Sequence, residues 1–260
     1  MTVLGVVFRP QFAPERLHAV AAAADGSALD ELWLWEDCFD HGGVATAAAA
    51  LAWTERIRVG VGVLPVPLRN PALAAMEIAS LHGMFSGRVE IGLGHGVQDW
   101  MAQVGARAES PMTLLREYVT AVRALLAGEA VTSEGRYVQL RDVRLGWPLS
   151  SGDVLHVAAV GPKTVATAGA LGNGLILTAA TTPDDLRSAR DTFDAARPDG
   201  AAPGRVTVYV AASGDAEAAA ARVRSFADQG ADAVILQPEP DDDPVDYVRF
   251  AAEHVHPLLG

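Results

Sequence analysis

Cysteine and lysine are almost missing from this chain of 260 residues: Cys38 is its only thiol and Lys163 its only lysine. One cysteine excludes an intramolecular disulfide and any zinc site built on cysteine pairs. Positive charge is also scarce, with 20 basic residues against 32 acidic ones and a net charge of −12. A chain with that balance lacks the broad positive field that nucleic acids or anionic membrane surfaces require. Its apolar runs are broken by Gly, Arg or Pro well short of the ~18 residues of a membrane span. With no leader-like start and a lone thiol, the expectation is a cytoplasmic protein. What the chain has in quantity is apolar surface. Half of its residues are hydrophobic, enough for one large core. The length is normal for a single α/β barrel, so residues 1–260 read as one domain.

Short β-rich runs alternate with Ala-rich helical runs throughout. The predicted strands are Val3 to Phe8, Glu31 to Trp35, Val59 to Leu64, Val89 to Leu93, Val154 to Val157, Gly174 to Leu177, Val206 to Val210 and Ala233 to Leu236. They are short and apolar on both sides of the pleat, as parallel strands buried on both faces are. Four helices open on a capping residue followed by proline: Asn70-Pro71, Ser110-Pro111, Thr182-Pro183 and Asp243-Pro244. Such a cap accepts a bond from an orphan amide, and proline has no amide to leave unpaired. Gly128, Gly172 and Gly230 stand where helices should end. Leu115, Val119, Val122, Leu125 and Leu126 recur at helical spacing. Between the fourth and fifth strands lie roughly 60 residues, about double the usual βαβ repeat. They include a predicted hairpin around Glu134-Gly135. Eight strand–helix units with an insertion after the fourth strand predict an eight-stranded parallel (β/α)8 TIM barrel. A doubly wound open sheet is the alternative.

In such a barrel the chemistry belongs at the C-terminal ends of the strands. After the fifth strand, Val160-Gly161-Pro162-Lys163-Thr164 combines a strand-to-helix turn, a glycine and the sole lysine. That is either a phosphate-binding helix start or an ordinary βα turn. After the fourth, Gly92-Leu93-Gly94-His95-Gly96 removes side chains where a ligand could press on the backbone, or where the backbone itself packs tightly. It is not the GxGxxG fingerprint, because the third glycine comes one residue early. His95 and Asp99, four apart, could share a helix face. After the second strand come Glu36, Asp37, Cys38, Asp40 and His41, whose spacing fits no zinc or calcium signature. Gly60 and Gly62 alternate inside a β-branched strand, which marks either a bulge or a crowded barrel interior. Trp33, Trp53 and Trp100 are core or interface residues.

Taken together, several segments resemble the bacterial luciferase-like superfamily of flavin- and deazaflavin-dependent oxidoreductases: ELWLWEDCF; TERIRVGVGVLPVPLRNPALAAMEIASLHGMFSGRVEIGLGHG; LREYVTAVRALLAGEAVTSEGRY; and LHVAAVGPKTVATAGALGNGLIL. The Arg69-Asn70-Pro71 turn, the Ser86-Gly87-Arg88 turn and the GLGHG strand end carry the resemblance jointly. It implies a barrel with an insertion after the fourth strand, a homodimer, and a cofactor, F420 or alternatively FMN, lying across the mouth. Ring contacts would come from Gly62 and Val63, where the resemblance implies a cis peptide. Tail contacts would come from Gly94, His95 and Gly96, and from Val160, Gly161, Pro162 and Lys163. The catalytic candidates are Asp37, Cys38 and His41.

The chain also departs from the pattern. Cys38 stands where F420 dehydrogenases of the superfamily carry a histidine, and Val97 where an acidic residue often follows. Both changes remove a proton carrier, which disfavours sugar or alcohol dehydrogenation. They leave room for reduction of an unsaturated substrate or for oxygen chemistry. The expected activity is hydride transfer between F420 and a small organic substrate. An FMN-dependent two-component monooxygenase and a non-catalytic flavin-binding barrel are the alternatives. The chain is short for the superfamily, so trimmed capping loops are expected.

Overall fold

The computed structural model describes residues 2–149 and 155–260. In chain order its principal elements are β1 (Val3–Phe8), α1 (Leu17–Asp25), β2 (Glu31–Leu34), α2 (Gly43–Ala52), β3 (Arg58–Pro65), α3 (Pro71–Met84), β4 (Val89–Gly94), α4 (Gln98–Gln103), α5 (Pro111–Leu126), β5 (Val131–Glu134) and β6 (Gln139–Val143). They continue with β7 (Leu155–Ala158), α6 (Pro162–Leu171), β8 (Gly174–Leu177), α7 (Pro183–Ala195), β9 (Arg205–Ala211), α8 (Ala216–Asp228), β10 (Ala233–Gln237) and α9 (Pro244–Arg249). Eight parallel strands close in the order β1-β10-β9-β8-β7-β4-β3-β2, while β5 and β6 form a separate antiparallel pair. The chain is thus the predicted TIM barrel, with the hairpin in the insertion after β4. Among the described residues no helix is long and apolar enough to cross a membrane.

Local signals account for most of the elements. Asn70, Thr182 and Asp243 cap their helices as predicted, each accepting first-turn amides. Ser110 does not: its hydroxyl pairs with Thr113 Oγ1 at 2.8 Å, and its backbone amide donates to the Tyr137 hydroxyl at 2.8 Å. Thr113 thus takes the hydroxyl that would have capped the helix, and the hairpin that carries Tyr137 fixes the backbone before it. Gly128 and Gly230 take positive φ, +84° and +99°, whereas Gly172 ends α6 in extended backbone. The periodic face of α5 is buried as expected. Trp35 falls one residue past β2, and Val154 of the predicted fifth strand lies outside the described residues.

The barrel bore is filled in layers, and the filling decides where a cavity can exist. At the N-terminal end Glu31, with no exposure at all, accepts from Trp33 Nε1 at 2.9 Å, from Arg205 at 2.7 Å and pairs with Arg58 at 2.7 Å. Beside it Glu90 bonds His156 Nε2 at 2.6 Å and Arg205 at 3.0 Å. Against the cost of burial, His156, Arg205 and Arg58 hold the Glu90 carboxyl down at about 2. The next layer is Trp33 and Tyr209, edge to face at 6.0 Å. A Cβ on Gly60 would collide with the Trp33 indole, and one on Gly62 with the Tyr209 hydroxyl. The alternating glycines of β3 therefore make room for two aromatic rings. They also coincide with irregular geometry: the Gly62–Val63 peptide is cis and the β3–β4 register shifts between Val61 and Leu64. Ionic at the base and aromatic in the middle, the bore is blocked below its C-terminal mouth, where a cavity opens over the strand ends.

Candidate active site

That mouth holds a cavity of about 640 Å³, well inside the size range of small-molecule sites. Trp35, Ile176 and Tyr209 supply apolar and aromatic surface from three strands' ends. Tyr209 is 4% exposed and meets Trp35 edge to face at 5.2 Å. Gly62, Val63, Gly94, His95 and Gly96 line it from the ends of β3 and β4, and Ala158 to Gly161 with Thr164 from the neighbouring end of β7 and the start of α6. Thr178 and Gln237 add polar groups, and Val97 and Trp100 come from the start of the insertion.

The predicted residues divide between the cavity and its surroundings. Asp37, Gly62, Val63, Gly94, His95, Gly96, Val160 and Gly161 all line the same space. Pro162 lies in the adjoining cleft between α6 and α7, and Lys163 is exposed on the first turn of α6. Thr164 Oγ1 is turned to the Met112 sulfur at 3.2 Å and offers no hydroxyl to the turn. Cys38 and His41 lie outside the lining. His41 stacks on Phe8 with centroids 5.7 Å apart. Cys38 is half-buried, and burial together with Glu36 and Asp37 pushes its thiol up, away from the thiolate form. Nor do His95 and Asp99 share a helix face, because α4 begins only at Gln98.

The glycines of GLGHG serve mainly the protein's own packing. A Cβ on Gly94 would stand 2.7 Å from Val63 Cγ2, and one on Gly92 would meet Ile176 and Val63. Gly96 takes a positive φ of +69°, which a side chain disfavours. Gly161 is different. It caps α6 in extended backbone, and a Cβ there would meet nothing within 4 Å. It faces open space at a helix start whose first amides lack intrahelical acceptors.

Electrostatics separate the two adjacent carboxylates. Glu36, 9% exposed, receives both Nη groups of Arg69, the second at 2.6 Å, and the Gly43 amide at 2.6 Å. This strap ties the end of β2 to the Arg69-Asn70-Pro71 turn and to the start of α2. Asp37 has no such partners. Burial first and Asp40 second raise its carboxyl above the ordinary range, with Arg9 opposing. Asp37 is the lining group best suited to carry a proton. His95 is lowered by burial, opposed by its bond to the Pro111 backbone, so its ring is neutral near pH 7. Its Nδ1 is buried without a hydrogen-bond partner.

The Glu36–Arg69 strap spans 33 positions and left no mark in the sequence beyond an acidic cluster. Trp35 and Tyr209 were findable, since alternation along β2 and β9 places them on the bore side. Trp33 is buried core, Trp100 lines the mouth, and Trp53 is half-exposed against His18.

Fold and mouth together define a parallel α/β barrel with a mostly apolar cavity over its strand ends. Residues 4–256 match the family described as luciferase-like monooxygenase. A 5,10-methylenetetrahydromethanopterin reductase of Methanolobus tindarius is 30% identical over 222 residues, 84% of this chain and 67% of that protein. An F420-dependent glucose-6-phosphate dehydrogenase of Beutenbergia cavernae is 34% identical over 180 residues, 65% of this chain and 54% of that protein. The match therefore spans little more than half of that relative's length. Among solved structures, an F420-dependent secondary alcohol dehydrogenase in complex with an F420-acetone adduct superposes with TM-score 0.90 at 18% identity, over 100% of this chain and 99% of that one. That likeness is one of fold. The chain belongs to the luciferase-like monooxygenase family.

Proposed function

We propose that this protein is an oxidoreductase that passes a hydride between F420 and a small organic substrate. The observation that carries the reading is the mouth cavity, whose lining includes Asp37, Gly62, Val63, Gly94, His95, Gly96, Val160 and Gly161, eight of the predicted positions. Relatives at 30% and 34% identity named for methanopterin reduction and for F420 support it. When bound, the deazaflavin supplies the hydride-carrying carbon. Gly62, Val63, Gly94 and Gly96 offer a backbone-lined wall to the ring, with His95 beside them. Val160, Gly161, Pro162 and Lys163 offer the tail a helix start and the chain's sole lysine. Asp37 holds the proton that accompanies hydride delivery. Cys38 and His41 shape the loop that carries it. A homodimer would cover α3, whose outer positions Leu73, Met76 and Met84 are exposed. Sedimentation of Met76→Glu, expected to be monomeric, checks that point. The single thiol and the cofactor both suit the cytoplasm.

Hydride transfer is tested by mixing chemically reduced F420, the protein and a panel of ketones and unsaturated carbonyls without oxygen. Return of the oxidised deazaflavin absorbance supports the reading. Oxygen uptake with reduced FMN, and no reaction with F420, would make the protein a two-component monooxygenase. Binding without turnover in either assay would leave a non-catalytic flavin-binding barrel.

A further inference from the structure

Among the described residues, the two carboxylates Glu36 and Asp37 are the only charged side chains lining the mouth, with no arginine or lysine beside them. The cations nearby are engaged elsewhere. Arg69 is held in the bidentate pair with Glu36. Arg9 donates to the Pro238 carbonyl at 2.8 Å and to Gln11 at 3.2 Å, with its guanidinium 6.0 Å from the Trp35 ring. Lys163 stands on the α6 side, beside the Gly161 turn that the proposed function gives to the cofactor tail. The rim is apolar where solvent meets it: Val97 is 48% exposed, Val160 84%, and Phe39, on the Asp37 loop, 64%. Charge-assisted bonds hold phosphates in proteins, and this wall has no cationic donor to make them. The chain's net charge of −12 adds repulsion for an incoming dianion.

Resting on the proposed function, we infer that the substrate is uncharged and mainly apolar, not a phosphorylated sugar, and that Val97 and Val160 select it. The inference separates this chain from its 34%-identical relative, which is named for glucose 6-phosphate. A neutral ring would lie against Trp35 and the apolar rim. In the reductive direction its electrophilic carbon gains the hydride, the two electrons of which come from the reduced deazaflavin. The proton then passes from Asp37 to the neighbouring atom, and solvent reprotonates the carboxylate.

A matched pair tests the charge selectivity without turnover. The protein is titrated with 1-naphthol and with 1-naphthyl phosphate, with and without F420, following the indole N–H resonances of Trp35 and Trp100. We expect naphthol to shift both and to bind at least ~10-fold more tightly than the phosphate. Val97→Arg should close that gap by about tenfold, the size of one charge-assisted contact. Naphthyl phosphate binding as tightly as naphthol in the unaltered protein, or naphthol leaving both resonances unmoved, overturns the inference. Failure of F420 to bind defeats the functional reading instead, and the comparison in the unloaded protein still decides charge selectivity.

Discussion

Glu36 grips Arg69 with both carboxylate oxygens and takes the Gly43 amide on the same side chain. One buried carboxylate thereby fixes the two loops that flank Asp37 and Val63. Removing one partner of a buried pair leaves the other charge uncompensated. Glu36→Ala should cost about 3 kcal/mol, a fall in Tm of roughly 2–4 °C per kcal/mol at this chain length. Arg69→Ala should behave alike, and the double variant should lose far less than the sum. Additive losses in denaturant unfolding would mean that the pair is not coupled.

Glu90 supplies an acid-sensitive contribution at the opposite end of the barrel. Its folded-state value of about 2 lies below the ordinary 4.5. Folding therefore favours the ionised form, and the stability it contributes is complete above the ordinary value and lost as pH falls through about 2. Glu90→Gln should lower Tm at pH 7, with the gap to the unaltered protein narrowing steadily below pH 4.5. A gap that is constant with pH would assign the loss to packing alone.

Asp37 has the opposite sign. Its raised value means that ionisation is disfavoured in the folded protein, so losing the proton opposes folding. Burial is the main cause, Asp40 adds to it, and Arg9 compensates in part. Asp37→Asn should match or exceed the unaltered protein in Tm at pH 7. The difference should vanish as pH drops toward the ordinary 3.8. The same variant should bind F420 normally and lose turnover by about 10²-fold, the low end for a lost proton carrier. Full turnover would remove Asp37 from the chemistry.

Two glycines separate packing from binding. Gly60→Ala drives a methyl into the Trp33 indole and should destabilise by about 1–3 kcal/mol. Gly161→Asp adds its side chain to open space and should leave stability within about 0.5 kcal/mol. Its carboxylate would, however, weaken F420 binding at least ~10-fold by opposing the tail's negative charge. Unchanged affinity in Gly161→Asp would detach the α6 turn from the cofactor.

The barrel was legible because parallel strands buried on both faces leave short apolar runs, and because Asn70, Thr182 and Asp243 mark helix starts chemically. Strand ends were legible too, which is why eight of the predicted positions, from Asp37 to Gly161, converge on one cavity. What escaped depends on partners distant in sequence. Ser110 spends its hydroxyl on Thr113 while its amide bonds Tyr137 of the hairpin, and Glu36 finds Arg69 across two loops. Gly92 and Gly94 read as room for a ligand or as tight packing, and Ile176 and Val63 fill that room; Gly60 read as a bulge or a crowded interior, and Trp33 is what crowds it. Cys38 and His41 were read from neighbourhood in the chain, yet the loop after β2 turns only Asp37 of those three into the space.

The central claim is that the mouth of the barrel is a deazaflavin site. It is tested most directly by titrating the protein with F420 and with FMN, following cofactor fluorescence, in the unaltered protein and in Gly161→Asp. The account predicts saturable F420 binding at least ~10-fold tighter than FMN binding, and clearly weakened in the variant. FMN binding more tightly than F420, or F420 affinity the same in both proteins, would contradict it.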